Sequence, residues 1–153
     1  MSLNKLSRKA VIERLKSVEL LSLDTDGVLT DGGIYFSDEG EQLRRFNVKD
    51  GMGMKLIQTI GVRIIIITAS STPSIEHRAT ALGVDKVYLG VEDKKRKIVE
   101  ICAELGLSLD QVAHIGDDLN DIPVMNVVGF PITVADAMEN VLAVSYTHLR
   151  AHE

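Results

Sequence analysis

A single cysteine, Cys102, is all the sequence holds, so no intrachain disulfide can form. It falls in the apolar pattern Ile98, Ile101, Cys102, Leu105, which marks a core thiol and not a nucleophile. No apolar run approaches the ~20 residues that a membrane span requires. The N-terminal stretch also lacks the basic start and continuous apolar segment of a signal peptide. A cytoplasmic protein with no membrane partner is expected. A basic footprint is missing too: the net charge is −5 and the cations are spread along the chain, so nucleic acid is not an expected partner. The densest basic run, Lys94-Lys95-Arg96-Lys97, opens a helical pattern beside Glu92 and Asp93. Three of its four residues suit a solvated helix face.

What is present is a globular mix, 45% apolar and 25% charged over 153 residues, enough for one domain with a substantial core. Residues 5–17 have the period of an amphipathic helix. Residues 18–23 form a short apolar run that stops at Asp24, and residues 33–46 suggest a hairpin around Ser37-Asp38-Glu39-Gly40. A helix over about 52–59 leads through Gly61 into a strand over 62–67, whose isoleucines suit burial on both faces of a parallel sheet. The alternation continues with helix 73–82, strand 85–89, helix 94–105, strand 111–115, helix 118–127 and strand 130–134. The pattern predicts an α/β fold: a doubly wound, Rossmann-like parallel sheet with a β-hairpin insertion and no cap domain. Function in such sheets gathers at the carboxyl ends of the strands.

The residues that follow each strand form a coherent chemical set. The first strand delivers Asp24 and Asp26, the second Thr68, and Lys94 opens the helix after the third. The fourth delivers Gly116-Asp117-Asp118, with Asp121 one helical turn on. Each piece alone has an ordinary explanation: Asp-X-Asp-Gly as a turn, Gly-Asp-Asp as a helix start with an Asp cap. The calcium-loop pattern fails for want of the third ligand and the closing Glu. Together, packed acids repel one another unless a divalent cation binds, and hard oxygen donors point to Mg²⁺. Acids, one metal and one lysine suit a phosphoryl group, for which an Asp carboxylate can serve as nucleophile.

The order Asp24-Thr25-Asp26-Gly27-Val28-Leu29-Thr30, Thr68, Lys94, Gly116-Asp117-Asp118-Leu119-Asn120-Asp121 resembles the haloacid dehalogenase superfamily of phosphohydrolases. It is most similar to the small, capless branch acting on 3-deoxy-D-manno-octulosonate 8-phosphate in lipopolysaccharide biosynthesis, from about Leu20 to Val144. The resemblance implies that Asp24 is nucleophile and Mg²⁺ ligand. Asp26 would act as general acid and base, contact the substrate, and lend its carbonyl to the metal. Thr68 and Lys94 would hold the phosphoryl oxygens and Asp117 would ligate Mg²⁺, with Asp118 and Asp121 supporting the metal's water shell. Asn47, Val48, Lys49, Asp50, Gly51, Ser70 and Arg78 match positions expected to contact a phosphorylated sugar acid. The branch further implies a homotetramer in which hairpins associate, and the apolar Ile34, Tyr35, Phe36, Leu43 and Phe46 fit an interface.

Two departures from the family pattern stand out. After Thr68 the related sugar-acid phosphatases usually carry Gly-Arg, whereas this chain has Ala69-Ser70. A bidentate arginine is hard to replace at a carboxylate, so a nine-carbon sugar acid phosphate is the alternative substrate. The end, Ser145-Tyr146-Thr147-His148-Leu149-Arg150-Ala151-His152-Glu153, replaces the expected Gly-rich loop and final helix. The expectation is a phosphatase domain over 1–144, truncated at its C-terminus, and a non-native tail over 145–153 in which His148 and His152 are not metal ligands. The rival from another class is a non-catalytic module of a sugar-acid cytidylyltransferase, which has no physical need for clustered acids. A mutase on the same chemistry is disfavoured by the missing cap.

Overall fold

The computed structural model describes residues 7–149. Residues 5–6 of the expected first helix, and Arg150 and His152 of the tail, lie outside the described residues. Among the described residues eight strands occur in chain order: β1 (Leu20–Leu23), β2 (Tyr35–Phe36), β3 (Gln42–Leu43), β4 (Arg63–Ile67), β5 (Lys86–Tyr88), β6 (Val112–Ile115), β7 (Phe130–Val134) and β8 (Thr147–Leu149). The helices are α1 (Arg8–Leu15), α2 (Val48–Thr59), α3 (Pro73–Leu82), α4 (Lys94–Leu105), α5 (Ile122–Met125) and α6 (Glu139–Val144).

Six strands form one sheet in the order β5-β4-β1-β6-β7-β8, with every pair parallel, while β2 and β3 make a separate antiparallel hairpin. The isoleucines of β4 divide as their pleat requires. Ile64 and Ile66 pack under α2 and α3 with Met54, Ile75 and Leu82, whereas Ile65 and Ile67 pack under α4 to α6 with Ile98, Cys102, Met125 and Val141. Both faces are therefore covered, as a parallel sheet demands. Cys102 is a core thiol as expected. Among the described residues the only insertion between β1 and α2 is the hairpin region, and no cap domain is present.

Differences from the sequence reading are local. Helix α2 starts at Val48 because the Asn47 side chain accepts the Lys49 N–H at 2.8 Å and caps it there. The single helix expected over 118–127 is a 3-10 turn, Leu119–Asp121, followed by α5. Asp118 and Asp121 cap that turn, and Pro123 sits in the first turn of α5. No element is expected from the sequence between residue 134 and the tail; the structure has α6 there and pairs Thr147–Leu149 with Ile132–Val134. Beside that strand the Tyr146 ring meets Phe130 edge-on at 5.9 Å.

Candidate active site

Strand β1 is central, flanked by β4 and β6. The order change beside it opens a crevice at the carboxyl ends, where Asp24, Thr68 and Asp117 emerge. Asp24 is 5% exposed, and its N–H donates to Ile115 O at 3.0 Å, which docks the loop on β6. The loop beyond it is braced internally. The Thr25 carbonyl accepts from the N–H groups of Val28, Leu29 and Thr30, and Thr30 Oγ1 accepts from those of Gly27 and Gly32. Gly27 adopts φ +84°, and a Cβ there would overlap Asp117 Oδ2. Only glycine lets this loop lie against that carboxylate.

Lys94 is the buried cation of the site. Although it begins α4 in the basic run, it is 1% exposed, while Lys95 and Arg96 are solvated. Its Nζ donates to Asp24 Oδ1 at 2.9 Å and to Asp121 Oδ1 at 2.7 Å. Asp121 is the most fully engaged acid. His114 Nε2 shares its Oδ1 at 3.1 Å, and its Oδ2 accepts from the N–H groups of Asp117 and Asp118 at 3.1 and 3.3 Å. Behind it, His114 Nδ1 lies 3.0 Å from Ser22 Oγ, so a polar chain runs beneath the site from β1 to α4.

The electrostatics separate the acids. Burial and the charge of Asp121 raise the Asp24 carboxyl above its ordinary value, against the pull of Lys94. Burial, then the charges of Asp24, Asp121 and Asp118, push Asp117 up to about 7. Burial also acts to raise Asp121, but His114 and Lys94 outweigh it and hold that acid at about 2. Lys94 is stabilised as a cation: burial opposes its charge, yet Asp24 and Asp121 raise it above the usual lysine value. Oxygens of Asp24, Asp117 and Asp121 lie within 4.8 Å of one another, and Asp117 Oδ1 is buried with no hydrogen-bond partner. A cluster of hard donors holding one unpartnered buried oxygen fits a divalent cation.

Thr68 is buried at the end of β4, its N–H donating to Tyr88 O at 3.0 Å and its hydroxyl accepting from Ser70 N–H at 3.2 Å. Asp26 projects instead into a cleft of about 770 Å³ between the hairpin and the start of α3, with Arg44, Ser70, Thr72 and His77 on its walls. The other predicted substrate residues are not brought to that cleft. Asn47, Val48, Lys49, Asp50 and Gly51 open α2, and Arg78 donates to Asn47 O at 3.1 Å with its guanidinium over the Phe46 ring. A Cβ at Gly51 would press on Arg78 and Leu82, so Gly51 and Arg78 pack between α2 and α3, while Val48 and Lys49 are exposed. Asp118 is exposed, and its Oδ1 accepts from Leu119 N–H at 2.6 Å.

Three partners are not among the residues expected from the sequence: Arg44, His114 and Ser22. The last two are lone polar residues in otherwise apolar strands, a pattern that flags a buried hydrogen bond. Arg44 had no such signal, because only the hairpin's closure over the sheet end brings it to Asp26.

A sequence pattern of haloacid dehalogenase-like hydrolases matches residues 90–152. Over 127 residues the chain is 44% identical to the 3-deoxy-D-manno-octulosonate 8-phosphate phosphatase KdsC of Yersinia pestis, covering 83% of this chain and 68% of that one. The corresponding protein of Escherichia coli K12 is 40% identical over the same shares. The crystal structure of the 3-deoxy-D-manno-octulosonate 8-phosphate phosphatase of Moraxella catarrhalis, with magnesium, phosphate and KDO bound, superposes with a TM-score of 0.91 at 33% identity. It covers 94% of this chain and 82% of its own. The cobalt-bound enzyme of Haemophilus influenzae superposes with a TM-score of 0.84 at 29% identity, covering 89% and 80%.

Proposed function

Since the chain belongs to the haloacid dehalogenase-like hydrolases and is a phosphoric monoester hydrolase, we propose that Asp24 attacks a sugar-acid phosphate monoester and carries its phosphoryl group as an aspartyl-phosphate. The substrate we assign is 3-deoxy-D-manno-octulosonate 8-phosphate, the compound named for the relatives. The observation that carries this reading is Lys94 bridging Asp24 and Asp121 beside the unpartnered Asp117 oxygen. It is an anion-receiving centre built around an ionisable nucleophile.

Asp24 attacks phosphorus as the sugar alkoxide leaves, and Asp26 gives that oxygen a proton. Asp26 then takes a proton from water, which attacks the aspartyl-phosphate and frees Asp24 and inorganic phosphate. Lys94 holds the Asp24 carboxylate in place and has a third N–H for a phosphoryl oxygen; Thr68 offers a hydroxyl. Asp24, Asp117 and the Asp26 carbonyl would hold Mg²⁺, which neutralises phosphoryl charge when bound. Asp121, already saturated by His114, Lys94 and two backbone N–H groups, orients Lys94 instead.

A homotetramer assembled through the hairpin is part of the same reading. Ile34, Tyr35, Phe36 and Leu43 are all about half exposed or more, whereas Phe46 packs against its own core. Sedimentation of a Phe36→Asp variant should show smaller species; an unchanged oligomer would remove the hairpin from the interface. The function itself is tested by phosphate release from a panel of sugar-acid phosphates with Mg²⁺ and with a chelator. Metal-dependent release from the eight-carbon acid is expected, and no release from any member refutes the assignment.

A further inference from the structure

Arg44 follows β3 and is buried, with its side chain 2% exposed, yet it sits in the wall of the cleft that Asp26 enters. Its Nε donates to Asp26 Oδ1 at 2.6 Å and its Nη2 to Oδ2 at 3.2 Å, a bidentate fork. The remaining N–H groups reach Ser70 Oγ at 2.9 Å and Thr72 Oγ1 at 2.6 Å, with Gln42 Oε1 at 3.5 Å. The guanidinium is thus held by neutral hydroxyls on one side and by a single carboxylate on the other. In this arrangement both Asp26 oxygens accept from Arg44, so neither is free to meet a leaving oxygen. For Asp26 to reach a leaving oxygen another acceptor has to take the fork, and a carboxylate matches its geometry.

We propose that Arg44 is the specificity residue for the substrate carboxylate: the carboxylate of the entering sugar acid replaces Asp26 on the guanidinium and thereby frees both Asp26 oxygens to face the leaving oxygen. The inference rests on the reading of the substrate as a sugar-acid phosphate. One carboxylate is exchanged for another, so Arg44 remains paired and no buried charge is left uncompensated. Ser70 and Thr72 hold the fork during the exchange. The small side chain at position 70 matters here, because the guanidinium stands within hydrogen-bonding distance of it. A phosphate ester that lacks a carboxylate leaves Arg44 on Asp26 and is turned over poorly even when its phosphoryl group is well placed.

The test compares 3-deoxy-D-manno-octulosonate 8-phosphate with D-arabinose 5-phosphate, a sugar phosphate without a carboxylate, on the full chain with Mg²⁺. The quantity read is the ratio of the two kcat/KM values. In Arg44→Gln the ratio should fall by roughly tenfold to a hundredfold, the worth of a charge-assisted hydrogen-bonded pair. The KM for the sugar acid should rise. Arg44→Lys, which keeps the charge and loses the fork, should give a ratio between the two and covers the case in which the glutamine variant folds poorly. Parallel losses on both substrates, with the ratio unchanged in both variants, would overturn the role of Arg44 while leaving the phosphatase reading intact. Absence of phosphate release from the sugar acid by the unmodified chain overturns the functional reading and this inference with it.

Discussion

His114 Nε2 stands 3.1 Å from Asp121 Oδ1, and solvent reaches neither side chain. Lys94 Nζ meets the same oxygen at 2.7 Å, so one carboxylate joins β6 to α4 and fixes the cation that faces Asp24. Asp121→Ala would leave a buried ammonium and a buried imidazole short of partners. Breaking such a network costs about 3–5 kcal/mol. Asp118, exposed and serving as a cap, should cost only about 1 kcal/mol as alanine. Denaturant melts of the two variants check this, and equal losses would refute the division of labour between the neighbouring acids.

Asp24 differs from Asp121 in what its charge does to the fold. Burial and the Asp121 charge work against ionised Asp24, with Lys94 and a backbone hydrogen bond from Thr25 in its favour. In Asp24→Asn that repulsion disappears, and Asp121 still holds Lys94. The variant should release no phosphate, yet its metal-free melting temperature should equal or exceed that of the parent. A fall of several degrees would show that Asp24 is a structural anchor and not a group held at a cost for chemistry.

Most of this site was legible because strand ends are punctuated in the sequence. Asp24 stops an apolar run, Thr68 follows the isoleucines, and Gly116-Asp117 follows β6, so one topological rule brings them to the same edge. Helices α3 and α4 kept their expected bounds because Pro73, Gly83 and Gly106 are explicit start and stop signals. The start of α2 was obscured by Gly51 and Gly53, poor helix formers that the Asn47 cap and tertiary packing override. Arg44 was invisible for a different reason. Its register on the hairpin, and the hairpin's lean over the sheet, follow from contacts distant in sequence.

Asp117 links stability to pH and, through the proposed Mg²⁺ site, to metal. Its carboxyl is pushed up to about 7 in the folded chain, first by burial and then by neighbouring acids, from an ordinary value of 3.8. The folded state therefore binds a proton that the unfolded state releases. Metal-free stability is complete below the unfolded value and is lost as pH rises toward 7; Asp24, also raised, acts in the same direction. Asp121, held at about 2, acts oppositely but only in acid, below its unfolded value. With a chelator the melting temperature should fall between about pH 4 and pH 7 and level off above. The increment from Mg²⁺ should be larger at the upper end, where protons no longer compete. Asp117→Asn should flatten the slope and remove most of the Mg²⁺ increment. An increment independent of pH would refute Asp117 as the titrating ligand.

Gly27 separates backbone strain from metal-site geometry. Its φ of +84° makes alanine unfavourable there, and an added Cβ would overlap Asp117 Oδ2. Gly61 has a φ of +86° with nothing within 4 Å of an added Cβ, so Gly61→Ala carries the strain without the collision. Gly61→Ala should lose about 1–2 kcal/mol in denaturant melts, the cost of a left-handed residue, and Gly27→Ala at least as much. Only Gly27→Ala should displace the Asp117 carboxylate. Its Mg²⁺ concentration for half-maximal phosphate release should rise by about tenfold or more, as when a group that orients a metal ligand is disturbed. Gly61→Ala should titrate like the parent. If the two variants behave alike in Mg²⁺, the close approach of Gly27 to Asp117 has no part in metal binding, and the glycine serves the turn alone.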